Sequence, residues 1–370
     1  MKISIEKSDL LNGVQTVIKA VPNRTTMSIL ECILIDASQN EIRLVANDSD
    51  FGIQTIVEGN ILKGGMIAVA AKDFADIVRK LPDRLITIET DDNFKTYINY
   101  GGESDLSING KDGELFTDIA SYDRTENLVI SEYTLKEMIK NTIFSISENE
   151  TNKILGGELF DITPDLFKIV SLDGQRISVR NTALNNNTLT KKVIVPGKNL
   201  NELIKILPGK TDDNVNIIFN KNTIVFEFGE TVVVTRLIEG DYFNIKNILS
   251  MDYETKIKIN KKELYECVDR STLFVKEGDK KPIILSIEDG KIRITINAVN
   301  GSMKEKIDIT KEGSDLKIGF NPKFLIDALR VIEDDEINVY FTNAKSPCII
   351  RDDEEKYTYV ILPVNFTNVD

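Results

Sequence analysis

Lys72, Lys198 and Lys323 recur at intervals of 126 and 125 residues, each at the same point of a repeated motif. A cation repeated in this way suits the holding of a polyanion such as a phosphate backbone, which needs positive potential and no reactive group. Bond-making chemistry is poorly supplied. The chain contains no histidine, which removes Ser–His and Cys–His nucleophiles, histidine metal sites and the commonest general base. It contains no Gly-x-Gly-x-x-Gly or Walker-type loop, and Gly64-Gly65, Gly101-Gly102 and Gly156-Gly157 read as turns. Asp91-Asp92, Asp212-Asp213 and Asp352-Asp353-Glu354-Glu355 offer carboxylates to a divalent ion or a carboxylate-only hydrolase, but they read better as solvated loops. No catalytic residue, metal site or cofactor is expected.

The elements that position the three lysines are themselves repeated. Ile67–Pro82, Val193–Pro208 and Ile318–Glu333 superpose without a gap as a short apolar run, a turn and an amphipathic helix. Phe74, Leu200 and Leu325 coincide, as do Ile77, Leu203 and Ala328, then Val78, Ile204 and Leu329, which is the spacing of a buried helix face. A second unit precedes each of these: Ile5–Val14, Ile130–Ile139 and Ile259–Val268, with Leu10, Leu135 and Leu264 as helix contacts. Thr134 with Glu137, and Asn260 with Glu263, read as capping pairs, and Asn321-Pro322 as a cap with a first-turn proline. The expected fold is α+β: three domains of about 125 residues, each of two strand–helix–strand halves with antiparallel sheets.

At 370 residues, two or three domains are expected, and the repeat selects three. Hydrophobic content of 41% is ordinary, no apolar run approaches a membrane span, and the start lacks a signal-peptide core, so a cytoplasmic location is expected. Cys32, Cys267 and Cys348 stand apart among apolar residues and read as buried, reduced thiols. The net charge is −13. Six helical segments (7–20, 72–82, 132–145, 198–210, 261–273, 323–332) carry +1, +1, 0, +2, 0 and +1, which leaves −18 for the remainder. Basic helices on an acidic body would make any cavity they jointly line positive.

The strand-like runs Ile29–Ile35, Glu41–Ala46, Phe51–Val57, Leu85–Glu89, Thr96–Tyr100 and Leu106–Ile108 flank the first two helices. Asn109-Gly110 and Asp112-Gly113 mark a loop, and Asp118–Asn127 a polar crossing. Domain limits are expected at 1–123, 124–251 and 252–370, joined by linkers too short for independent motion.

The threefold repeat, the run Leu172-Asp173-Gly174-Gln175-Arg176-Ile177-Ser178-Val179 and the terminal strand Tyr359-Val360-Ile361-Leu362-Pro363-Val364 together resemble the bacterial sliding clamp, the beta subunit of DNA polymerase III. The likeness spans nearly the whole chain. It implies a non-enzymatic processivity factor: a head-to-tail homodimer closed into a ring, with helices lining the hole and sheets outside. Double-stranded DNA would pass through without base readout. The implied phosphate-facing residues are Arg24, Lys72, Arg79, Lys136, Lys140, Lys198, Lys205, Lys323 and Arg330.

The resemblance also implies a hydrophobic pocket for short motifs of the polymerase III alpha subunit, clamp-loader subunits, other polymerases and repair proteins. By position it falls on Leu155, Leu172, Gly174, Arg176, Ile177, Phe243, Ile248, Val360, Leu362, Pro363 and Val364. Phe243 stands where many relatives carry proline, Asn247 where arginine is frequent, and Glu150-Thr151-Asn152-Lys153 where Glu-Thr-Arg-Pro is frequent, so peptide preference is expected to differ. The tail Asn365–Asp370 is slightly long and is expected to brush the pocket rim. The implied dimer edges are Glu103–Ile108 and Ser302–Ile307. From their charges, Glu103 and Asp105 are expected to face Lys304 and Lys306 around an apolar contact of Leu106 with Leu273 and Phe274. A monomeric peptide-binding scaffold and a carboxylate-dependent enzyme are the rival readings.

Overall fold

The computed structural model describes residues 1–102, 105–147, 152–249, 252–275 and 281–366. Six helices of nine or more residues are present among them: α1 (Lys7–Val17), α2 (Ala71–Lys80), α3 (Glu132–Lys140), α4 (Gly197–Ile206), α5 (Lys261–Ser271) and α6 (Pro322–Val331). Their apolar faces follow the repeat. Leu10, Leu135 and Leu264 are buried, as are Phe74, Leu200 and Leu325, while Ile77 and Ile204 are half-buried. Each fully buried leucine contributes about 2 kcal/mol. Within their own units α1 packs on α2 and α5 on α6.

Asn260 and Asn321 cap α5 and α6, accepting from the amides of Glu263 and Lys323 at 3.0 Å each, with Pro322 in the first turn. The cap of α3 differs from the expected one. Ser131 Oγ accepts the Thr134 amide at 3.2 Å, because the helix begins at Glu132 and Thr134 already lies inside it.

Contacts gather the three repeats into two compact units. One comprises Met1–Lys136 and Asn199–Leu237, the other Glu137–Lys198 and Ile238–Asp370, so the division cuts the middle repeat inside α3 and α4. Strand pairing is the cause. The first unit holds one thirteen-stranded sheet in which Thr231–Arg236 of the second repeat pairs with Phe51–Val57 of the first, Val234 opposite Gly52. The second holds a twelve-stranded sheet in which Arg176–Ala183 of the second repeat pairs with Tyr357–Ile361 of the third, Ile177 opposite Val360. Main-chain hydrogen bonds therefore cross both sequence boundaries.

Two strands change partner part-way. Asp105–Asp112 pairs with Lys95–Asn99 as far as Asn109 and with Met66–Ala70 from Gly110 onward. The expected loop at Asn109-Gly110 is thus the crossover inside one strand. A Cβ on Gly110 would lie 2.6 Å from the Ile67 side chain, so glycine serves close packing there, not a turn. Gly301–Gly313 likewise pairs with Lys291–Ala298 and then with Thr255–Asn260. Among the described residues, the other edge of 105–109 and of 301–308 has no strand partner.

Candidate functional site

In the second unit, Asp173 Oδ1 accepts the amides of Gln175 and Arg176 at 2.9 and 3.0 Å, closing a tight turn with Gly174 at φ +88°. Glycine reaches that left-handed conformation without strain. The turn sets Ile177 opposite both Leu172 and Val360, and these three buried side chains form an apolar floor. Phe243, Asn244, Ile245 and Ile248 of the following segment make one wall, and Pro347 and Leu362 complete a cavity of 380 Å³. Phe243 and Leu362 are 49% and 41% exposed, large apolar side chains left at the mouth.

Eight of the eleven expected pocket residues line this cavity. Leu155 packs against the same apolar cluster from outside the lining. Pro363 and Val364 turn away: the Val364 amide donates to Gly319 O at 2.8 Å, and Phe366 lies by Lys317, 5.9 Å from ring centre to Nζ. Asn365 and Phe366 therefore run toward the strand Leu316–Phe320 instead of the pocket rim; residues 367–370 lie outside the described residues, as do Glu150, Thr151 and the expected boundary at Ser250-Met251. Gln175, Asn244, Ile245 and Pro347 line the cavity without having been expected. The first three fall between expected residues in the sequence and were readable as neighbours, whereas Pro347 arrives from a distant turn with no local signal.

Arg176 is not a free cation. Nε donates to Asp173 Oδ2 at 2.9 Å, Nη1 to Asp327 Oδ2 of α6 at 2.6 Å and Nη2 to the Phe144 carbonyl, and the plane lies over the Phe324 ring at 4.6 Å. Ser171 Oγ donates to Thr142 O at 2.5 Å and the Tyr359 hydroxyl to Asn141 O at 3.1 Å. The strands that make the pocket floor are thus tied to the turn that follows α3.

Behind that floor Glu158 is fully buried, and neither carboxyl oxygen has a hydrogen-bond partner. The Thr142 hydroxyl, the one group favouring its charged form, donates to the Met138 and Ile139 carbonyls at 2.8 and 3.2 Å. Burial therefore pushes the Glu158 carboxyl well above the ordinary range.

Of the expected phosphate-facing residues, Lys72, Lys198 and Lys323 are each exposed at the second position of α2, α4 and α6, and none has an ion pair among the described residues. There they add to the positive pole of the helix. Arg24 is exposed in the loop after α1, and Arg330 is exposed at the end of α6. Arg79, Lys140 and Lys205 each pair with an acid one turn back, Asp76, Glu137 and Glu202, at 2.9, 3.2 and 2.7 Å. Lys136 is committed elsewhere: its Nζ donates to Leu207 O at 2.6 Å, capping α4.

The family description "DNA polymerase III beta subunit" matches in three successive parts: N-terminal domain at residues 1–119, central domain at 129–244 and C-terminal domain at 246–365. A beta sliding clamp of Staphylococcus epidermidis is 32% identical over 375 residues, covering 98% of this chain and 99% of that protein. The chain belongs to the beta sliding clamp family. A crystal structure from Eubacterium rectale, described as a DNA polymerase III beta subunit, is 56% identical with a TM-score of 0.96, covering 99% of this chain and 100% of that one. The Bacillus subtilis DNA polymerase sliding clamp is 32% identical with a TM-score of 0.95 and the same coverage. Family membership makes the chain a non-catalytic processivity factor built of three clamp domains, and not an enzyme.

The unpartnered edges of 105–109 and 301–308 differ in chemistry. Along Gly301–Gly313, Lys304 and Lys306 are exposed, while Glu305 turns to its own α5, where Arg270 grips it at 2.8 and 2.6 Å. Those bonds outweigh its burial and hold the Glu305 carboxyl below its ordinary range. Leu273 is 75% exposed beside a half-buried Phe274, and Leu106 on the other edge is 40% exposed. Glu103 and the side chain of Asp105 lie outside the described residues. Cys32, Cys267 and Cys348 are buried free thiols, and among the described residues no helix is long and apolar enough to cross a membrane.

Proposed function

We propose that two copies join head to tail, strand edge 105–109 of one against 302–308 of the other, and close a ring around duplex DNA. The domain limits would be 1–123, 124–251 and 252–370. Lys72, Lys198, Lys323 and Arg330, with Arg24, supply the field for phosphates. Arg79, Lys140 and Lys205 contribute less because each is half-neutralised on its own helix, and weak, mobile binding is what a sliding ring needs. Replication would bring the ring to the nucleoid.

The 380 Å³ pocket takes short linear motifs from the polymerase III alpha subunit, clamp-loader subunits, other polymerases and repair proteins. The observation that carries this reading is an apolar cavity whose only lining cation among the described residues, Arg176, has all three of its nitrogens bonded within the chain. Such a pocket favours a peptide with buried apolar anchors over a charged small molecule. The test is retention on nicked circular DNA with a clamp loader and ATP. Release on linearising the DNA is expected; equal binding to both forms would leave only electrostatic association.

A further inference from the structure

A second cleft, of 410 Å³, lies within the first unit on the strands Phe51–Val57 and Thr231–Arg236. It repeats the construction of the pocket residue by residue. Gly52 stands opposite Asn47 and Val234 as Ile177 stands opposite Leu172 and Val360. Asp48 Oδ1 accepts the amides of Asp50 and Phe51 at 3.0 and 2.6 Å, as Asp173 does those of Gln175 and Arg176. The next residue is left-handed in both turns, Ser49 at φ +79° and Gly174 at φ +88°. Thr223 occupies the place of Pro347, and the segment Thr117–Ala120 that of Phe243–Ile248.

The chemistry of the two clefts differs. Gly52 has no side chain to offer a floor, and Ile119 supplies it instead: a Cβ on Gly52 would lie 2.6 Å from Ile119 Cγ2. The Asn47 amide donates to the carbonyls of Thr117 and Asp118 at 3.2 Å each and holds that segment in place. Ile119, Val234 and Phe51 then give an apolar surface. Where the pocket has Leu362, this cleft has Arg236, 60% exposed, whose only ion pair among the described residues is a 3.5 Å contact with the equally open Asp50. An exposed pair of that length holds its guanidinium weakly.

We propose that this cleft is a second docking groove, for a short extended peptide carrying an aliphatic side chain next to a carboxylate. The aliphatic group packs on Ile119 and Val234, and the carboxylate takes Arg236 from Asp50 as a bidentate partner. The inference rests on reading the pocket as a peptide groove, since the same frame is reused. Each chain then offers two grooves of unlike selectivity, one apolar and one whose apolar surface is bordered by Arg236 and by the carboxylates of Asp50 and Asp118.

The experiment is methyl NMR of the full-length protein titrated with acetyl-Ala-Leu-Glu-Leu-Phe-amide. Ile119 and Val234 report on the new groove, Ile177 and Val360 on the pocket. Both sets are expected to shift in the wild type. Arg236→Glu, an exposed change, is expected to weaken the first set's response roughly tenfold and spare the second, and a peptide with lysine for glutamate should restore it. Shifts at Ile177 and Val360 alone would overturn this inference and leave the pocket reading standing. Shifts at Ile119 that ignore Arg236→Glu would also overturn it. Shifts at Ile119 and Val234 alone would instead sink the pocket reading, and a response at neither set would sink both.

Discussion

The guanidinium of Arg176 lies 2.6 Å from the carboxylate of Asp327, joining the turn at the pocket floor to helix α6, which also carries Lys323 and Arg330. Both side chains are largely buried, at 10% and 15% exposure. Removing one partner of such a pair leaves an uncompensated charge and costs about 3–5 kcal/mol. Asp327→Ala is therefore expected to lower the melting temperature and to weaken peptide binding, although Asp327 does not line the cavity. Fluorescence anisotropy with a labelled partner peptide checks this. Undiminished affinity in a destabilised variant would mean that the turn keeps its shape without α6. Because the one cation lining the pocket among the described residues is paired within the chain, peptide affinity in the wild type is also expected to change little between low and high salt.

The parts legible in the sequence were those with a period. The helix faces through Leu10, Leu135 and Leu264 repeat because each must cover its own sheet, and Asn260 and Asn321 cap where a polar residue precedes an apolar rhythm. What was illegible depended on pairing between distant strands. Nothing near Thr231–Arg236 announces that it binds the first repeat, so the gathering of three repeats into two compact units was not readable. Lys136 looked like its neighbours on the helical wheel, and only the carbonyl end of α4, seventy residues on, removes it from the free cations. Ser131, and not Thr134, caps α3, because capping-box spacing does not say where the preceding strand stops. The Asn109-Gly110 pair had the composition of a turn while its glycine answered to Ile67.

Salt dependence separates the cations. Lys72, Lys198 and Lys323 replaced together by alanine are expected to weaken duplex association and to flatten the log–log salt slope by up to about 0.9 per lost phosphate contact. Arg79, Lys140 and Lys205 replaced together should flatten it less, since their acids already compete for them. Lys136→Ala should leave the slope unchanged and instead destabilise the end of α4. Titrations at several salt concentrations, with a melting curve for each variant, distinguish the three outcomes.

At the strand edges, exposed Lys304 and Lys306 stand near exposed Leu273. Lys304→Glu with Lys306→Glu is expected to raise the dimer dissociation constant at least about tenfold in low salt, with the effect fading as salt screens the contact. Leu273→Asp should weaken the dimer at every salt concentration. Sedimentation across a dilution series reads both. A salt-independent effect of the lysine reversals would place the damage in folding and not in charge pairing.

Glu158 sets a pH dependence. Burial without partners favours the protonated form of its carboxyl in the fold, while in the unfolded chain it ionises near the ordinary value. The folded state therefore binds the extra proton, and stability falls as pH rises from the unfolded value toward the raised folded one. Glu158→Gln removes the ionisation and keeps the shape. It is expected to raise the melting temperature at pH 8 by a few degrees, at about 2–4 °C per kcal/mol, and to leave it nearly unchanged at pH 4. Melting curves of both proteins at the two pH values decide this. An equal change at both would show that the effect comes from packing and that the carboxyl does not titrate between them.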